Sequence, residues 1–461
     1  MKDYISICIV TYRGNQMLNG FLRQLKAQIS WLKNSAFVKN ILIVMSGTAL
    51  AQVIGFALTP IISRLFTPAD FGIFGSFNAV VVVIVAGVTL EYSQAIMLPK
   101  EKSHALDLFF ISCLSTTIIA LLCALACLIA PAYLMEIMKA PGVWVLALLV
   151  LIIPIAGFNI ALQSWCVRAK AFKQTSASQV VRSLSSNGMQ VGFGFLKAGS
   201  IGLIVSIVLA ELFASINLLR IFLADFKTFA HKTSWHRMKQ LAKEYRDFPI
   251  YSASGNIINA LSMGLPVLLL INYFGIAVAG AYAFGLRILG APMTLILRAL
   301  RQVLFQKAAE TDHQGRSLLV LYIKVTAGLF ALAVVPSIIL FIWAPQIFSF
   351  IFGHQWLTAG EFAGSLVLWQ AFMFCNLPSE LFARILRLQR LLFIFDIILL
   401  AARALVLIVG GIYMTASQTI FLFSIVGAIM NIIFIVIVGL VLMKKEGANT
   451  WQDMTNFMKV G

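Results

Sequence analysis

The chain has 461 residues, of which 61% are hydrophobic and only 11% charged. A soluble domain carries about 25% charged residues, so a single water-soluble core is excluded and a polytopic membrane protein is expected. The formal net charge of +18 would suggest a nucleic-acid partner in a soluble chain. Here its distribution along apolar segments decides its meaning, and no nucleic-acid partner is expected.

Residues 1–36 read as a cytoplasmic N-terminal extension. The apolar run Ile5 to Val10 is too short for a signal peptide and reads as a strand, while Leu18, Phe21, Leu22, Leu25, Ile29 and Leu32 have helical spacing. From residue 37 the apolar runs are roughly 38–63, 71–98, 107–131, 144–166, 177–196, 201–223, 249–273, 276–300, 318–344, 358–383, 391–413 and 418–443. Each suits the roughly 20 helical residues that a bilayer core of about 30 Å requires. Between the first two, Pro68 cannot continue a helix, and Thr67 or Asp70 can cap the next one.

These runs give twelve spans in an all-α chain. Shifting the sequence by 208 positions puts Ser46-Gly47 on Ser254-Gly255, Gly72 on Gly280, Phe74 on Tyr282 and Gln94 on Gln302. That repeat predicts two parallel six-helix bundles, 37–223 and 249–443, joined by a basic cytoplasmic linker, 224–248, and followed by a tail, 444–461. The linker is expected to lie on anionic lipid. With the N-terminus inside, 26 of the 35 Lys and Arg fall on the cytoplasmic side. Three fall outside (Arg64, Lys139 and Lys197) and six within spans or at their edges. A missed or invented helix would scatter that bias. Trp144, Trp343 and Trp356 then fall at the outer interface, and Trp165 near the inner one, as an aromatic belt would.

Catalytic and metal chemistry have little to rest on. There is no Walker A, HExxH or CxxC pattern, and the five His form no cluster, so neither an enzyme activity, a metal nor a cofactor is expected. The six Cys read as small apolar packing residues. Charges inside spans cost several kcal/mol on insertion and mark function instead. Arg287 and Arg298 lie eleven apart on the eighth span, at nearly one angular position, and Asp396 and Arg403 seven apart on the eleventh. Glu91, Arg182, Glu211 and Lys324 complete the set. Arg287 and Arg403 are expected in a water-filled cavity, Arg182 and Lys324 to snorkel toward the inner interface. Asp396, Glu91 and Glu211 are candidate ion-pair partners or proton or cation acceptors. Gly290 and Pro292, between the two arginines, are a candidate hinge.

Three stretches resemble known families. Residues 4–28 resemble the opening of a family-2 glycosyltransferase, although no nucleotide-binding body follows. The stretch SGTALAQVIGFALTPIISRLFTPADFGIFGSF resembles the first helix pair of the Wzx-type polysaccharide flippases, which belong to the multidrug/oligosaccharidyl-lipid/polysaccharide exporter superfamily. The run GAYAFGLRILGAPMTLILRALRQVLFQKAAE looks like the same family's second-half helix. The resemblance implies two bundles around a central cavity. It implies transport of undecaprenyl-diphosphate-linked oligosaccharides from the cytoplasmic to the periplasmic leaflet of a bacterial inner membrane, with both termini cytoplasmic. It implies basic cavity residues on the head group, with Arg287 the position carried over most readily. A polymerase and a chain-length regulator of the same pathway are possible partners. The alternative is an ion-coupled multidrug exporter of the same superfamily. A polymerase or ligase would need a large external loop, a major-facilitator transporter a Gly/Asp-Arg motif after the second span, and a lipid II flippase usually two more spans.

Overall fold

In the computed structural model, residues 36–229, 234–313, 317–386 and 388–460 are described, and every regular element among them is helical. Twelve long helices run in chain order. They are α1 (Ala36–Leu65), α2 (Pro68–Gly87), α3 (Lys102–Ile129), α4 (Trp144–Arg168), α5 (Phe172–Phe195), α6 (Gly199–Phe229), α7 (Ser254–Phe274), α8 (Ile276–His313), α9 (Leu318–Phe352), α10 (Leu357–Cys375), α11 (Gln389–Tyr413) and α12 (Ala416–Val460). Among the described residues ten helices are long and apolar enough to cross a membrane, and the chain is a multi-pass membrane protein. The apolar part of α1, Ala49–Leu65, is shorter, and α5 is not among the ten. The strand and helix expected before residue 36 lie outside the described residues.

The turn between α1 and α2 follows from its chemistry. Thr67 is the N-cap of α2: its side chain accepts from the Asp70 amide, and the Asp70 carboxylate accepts from the Thr67 amide at 2.9 Å. Pro68 takes the first turn, where a missing N–H costs nothing. Two expected spans are broken. The second was read through residue 98, but α2 ends at Gly87, and Leu90 and Glu91 adopt left-handed backbone (φ 47° and 60°) before a short helix, Tyr92–Ala95. The tenth divides at Asn376, because Pro378 enters the first turn of a second helix, Leu377–Ile385, and cannot extend the ladder of α10.

The 208-residue shift has a physical counterpart. α2 and α8 cross at their N-terminal ends, so close that a Cβ on Gly72 would lie 2.0 Å from the Ile276 carbonyl oxygen and one on Gly280 1.8 Å from that of Pro68. Gly75 faces Ala283 in the same crossing. Under the shift Gly72 corresponds to Gly280, Pro68 to Ile276 and Gly75 to Ala283. Each residue thus touches its partner's counterpart, the reciprocity of a two-fold relation.

Aromatic packing seals this end of the bundle. Trp356 is fully buried, stacks on Phe284 with ring centres 3.9 Å apart, meets Phe71 edge-on, and donates from Nε1 to the Ser63 carbonyl at 2.7 Å. The belt position read for Trp356 is therefore corrected: its N–H found a backbone partner, which lets the ring serve as core. Trp165 is also corrected, since it is buried and donates to Asp225 at 3.2 Å. Within 224–248, α6 runs on to Phe229, and a helix, Trp235–Glu244, docks on α3 with Met238 and Leu241 buried. Arg237 hydrogen-bonds the buried Asp107, which holds its guanidinium more firmly protonated. Lys239 and Lys243 stay on the exposed face.

Candidate functional site: two adjoining polar cavities

Below the α2–α8 crossing the helices part around two adjoining cavities. One, of about 680 Å³, is lined from α1, α5 and α8 with single residues of α4 and α6; the other, of about 610 Å³, is lined from α2, α4, α5, α6 and α7. Gln163, Arg182 and Ser186 line both, so the two adjoin at these side chains.

α5 supplies most of the polar wall. Its sequence, FKQTSASQVVRSLSSNGMQVGFGF, puts Ser178, Gln179, Arg182, Ser183, Ser186 and Asn187 on the first cavity. Some of these groups are tied to neighbouring helices: Ser183 Oγ donates to the Ala51 carbonyl at 2.6 Å and Ser178 Oγ to that of Ala214 at 2.9 Å. Amides dominate the rest: Gln52 and Gln163 face the first cavity, and Asn78, Asn256 and Asn259 the second. Such a wall offers donors and acceptors to hydroxyl groups without fixed charge. The sequence reading missed it by weighing only ionised groups within spans. The low hydropathy of 177–196, rich in Ser, Gln and Asn, was the available signal.

The charged candidates separate into three places. Arg287 lines the first cavity, half-buried, and donates from Nη2 to Asn187 Oδ1 at 3.5 Å. Arg182 lines both cavities instead of snorkelling away, and its Nε lies 2.8 Å from the Glu211 carboxylate. Glu91 lines the second cavity from the backbone break after α2 and accepts from Asn256 Nδ2 at 2.9 Å. Gly290 lines the first cavity, where an added Cβ would meet nothing within 4 Å. Pro292 lies exposed inside the continuous helix α8. The Arg298 side chain lies outside the described residues.

Arg403 and Asp396 do not join them. They line a smaller cavity of about 70 Å³ among α7, α10, α11 and α12, which adjoins the second at Asn259 and Met263. Arg403 is 3% exposed, donates to Ser262 Oγ at 2.9 Å, and lies over the Trp369 ring at 4.4 Å and the Phe423 ring at 5.4 Å. Such a space admits a few water molecules and no head group.

A wall with two arginines and many amides can hold an anion beside a hydroxyl-rich molecule: guanidinium groups take phosphate or carboxylate oxygens in pairs, and amides take hydroxyls.

Residues 61–361 match the family described as polysaccharide biosynthesis protein. A curated relative, the succinoglycan biosynthesis transport protein ExoT of Rhizobium meliloti (strain 1021), is 26% identical over 320 residues. That match covers 68% of this chain and 62% of the relative, so the chain spans under two thirds of that protein's length. Among solved structures, the lipid II flippase MurJ in an inward closed conformation superposes with a TM-score of 0.68 at 12% identity, covering 86% of this chain and 87% of that one. An inward-facing multidrug resistance MATE family transporter of the MOP superfamily gives 0.65 at 15% identity, covering 86% and 96%. These two share the fold, and the resemblance to polysaccharide flippases read from the helix pairs stands. The chain is a multi-pass membrane protein that belongs to the polysaccharide biosynthesis protein family.

Proposed function

We propose that this protein carries polyprenyl-diphosphate-linked oligosaccharide repeat units from the cytoplasmic to the periplasmic leaflet of the bacterial inner membrane, for the assembly of a surface or exported polysaccharide. The observation that carries this reading is Arg287 in an amide-lined cavity among α1, α5 and α8. A diphosphate cannot cross hydrocarbon unassisted, because stripping its water costs far more than any tail contact returns. In the cavity Arg287 and Arg182 neutralise the diphosphate, and the amides meet the sugars.

Twelve spans in two halves, 37–223 and 249–443, with both termini cytoplasmic, would rock about the α2–α8 crossing, and Gly290 and Pro292 would let α8 bend. Glu91, Glu211 and Asp396 are the carboxylates available for ion coupling, and Arg298 extends the basic line on α8. Arg403 enters as a buried tie between α7 and α11 and not as a head-group ligand. A polymerase and a chain-length regulator would take the product onward.

A second reading, an ion-coupled multidrug exporter, draws on Glu91 and Glu211 in the second cavity, since acids attract cationic drugs. Expression in a strain lacking its own polysaccharide flippase separates the two. Restored surface polymer with unchanged drug sensitivity is expected. Unrestored polymer with raised resistance to cationic drugs would favour the exporter.

A further inference from the structure

The Arg182–Glu211 pair is lopsided. The Arg182 side chain is 57% exposed and that of Glu211 8%. The amide Asn159 of α4 is spent elsewhere: its Nδ2 donates to Ser215 Oγ at 2.8 Å and to the Glu211 backbone carbonyl at 3.4 Å. Glu91, in the backbone break after α2, is the other acid facing the second cavity. Arg182 is therefore the cation set against the Glu211 carboxylate. The close contact is made through Nε, and Arg182 also lines the first cavity, as Arg287 does from α8.

We infer that Glu211 is a resident counter-anion that an incoming diphosphate displaces from Arg182 and that returns to expel it. The inference rests on reading the cavity as a diphosphate site. The exchange is favourable because a diphosphate brings at least two negative charges and several acceptor oxygens against one carboxylate. It is also costly, because a nearly buried carboxylate loses its partner. Glu211 thereby lowers affinity for the cargo and keeps release within reach. Arginines left free would hold a diphosphate tightly on either side of the membrane.

The test is isothermal titration of the purified full-length protein with farnesyl diphosphate, with farnesol as the uncharged control. Glu211→Gln is expected to bind the diphosphate about tenfold tighter, a size usual for linked groups, while transporting less in the complementation assay. Arg182→Gln is expected to bind about tenfold more weakly. In the Arg182→Gln background Glu211→Gln should add nothing, the mark of an energy shared by the pair. A merely structural role for Glu211 would lower binding and transport together. Should Glu211→Gln not purify as a single species, Glu211→Asp, whose shorter side chain loosens the 2.8 Å contact, is expected to tighten binding likewise. Wild-type binding with equal or weaker affinity in the Glu211 variants, or additive effects in the double variant, would overturn the inference alone. Absence of wild-type binding would overturn it together with the diphosphate reading of the site.

Discussion

Gly280→Ala is expected to abolish accumulation of folded protein. The added methyl would sit 1.8 Å from the Pro68 carbonyl oxygen and 2.7 Å from the Gly72 amide nitrogen. Both obstacles are backbone, so no side chain can swing aside, and the helices must separate where α2 meets α8. Overpacking of this kind costs about 3 kcal/mol or more, a large share of the stability of most proteins. Gly72→Ala should behave alike, with its methyl 2.0 Å from the Ile276 carbonyl oxygen. Gly328→Ala, in α9, where an added Cβ meets nothing within 4 Å, should leave folding untouched. Size-exclusion profiles of fluorescent fusions in detergent read the outcome. A monodisperse, thermally unchanged Gly280→Ala protein would contradict the close crossing.

Arg287→Ala is expected to lower surface polysaccharide at least tenfold in the complementation assay, at matched protein level. The figure follows from removing a charged hydrogen-bonding group, worth about 1.5–3 kcal/mol. Folding should survive, because Arg287 is half-buried on a cavity wall and its hydrogen bond to Asn187 is long at 3.5 Å. Arg287→Lys should keep part of the activity, since an ammonium retains the charge and loses the paired contact. Equal polymer from all three proteins would remove Arg287 from the site.

The legible part of the fold was that written in strong local or periodic signals. Thr67, Pro68 and Asp70 announced the first turn, and the 208-residue shift, read as two six-helix halves, aligned Gly72 with Gly280, the two glycines that meet at the α2–α8 crossing. Less legible was anything that depended on which neighbour a side chain met. Trp356 reads as an interfacial anchor until Ser63 is seen to accept its N–H. Arg403 reads as a cavity residue, but that its cavity is small and that Trp369 and Phe423 cover its guanidinium is seen only in the fold. The break after Gly87 puts left-handed backbone on Leu90 and Glu91, residue types that seldom adopt it. Arg287 stands out by its charge within a span and by the family resemblance, while the Ser, Gln and Asn side chains of α5 do not, because none costs much to insert singly.

The central claim is that a lipid-linked oligosaccharide crosses the membrane through this protein. The measurement that tests it most directly is reconstitution into vesicles with a fluorescently labelled polyprenyl-diphosphate oligosaccharide and a membrane-impermeant quencher outside. Wild-type protein should expose inner-leaflet label that protein-free vesicles and Arg287→Ala vesicles keep protected. Label that stays protected with wild-type protein, while the same vesicles transport a cationic dye, would contradict the account.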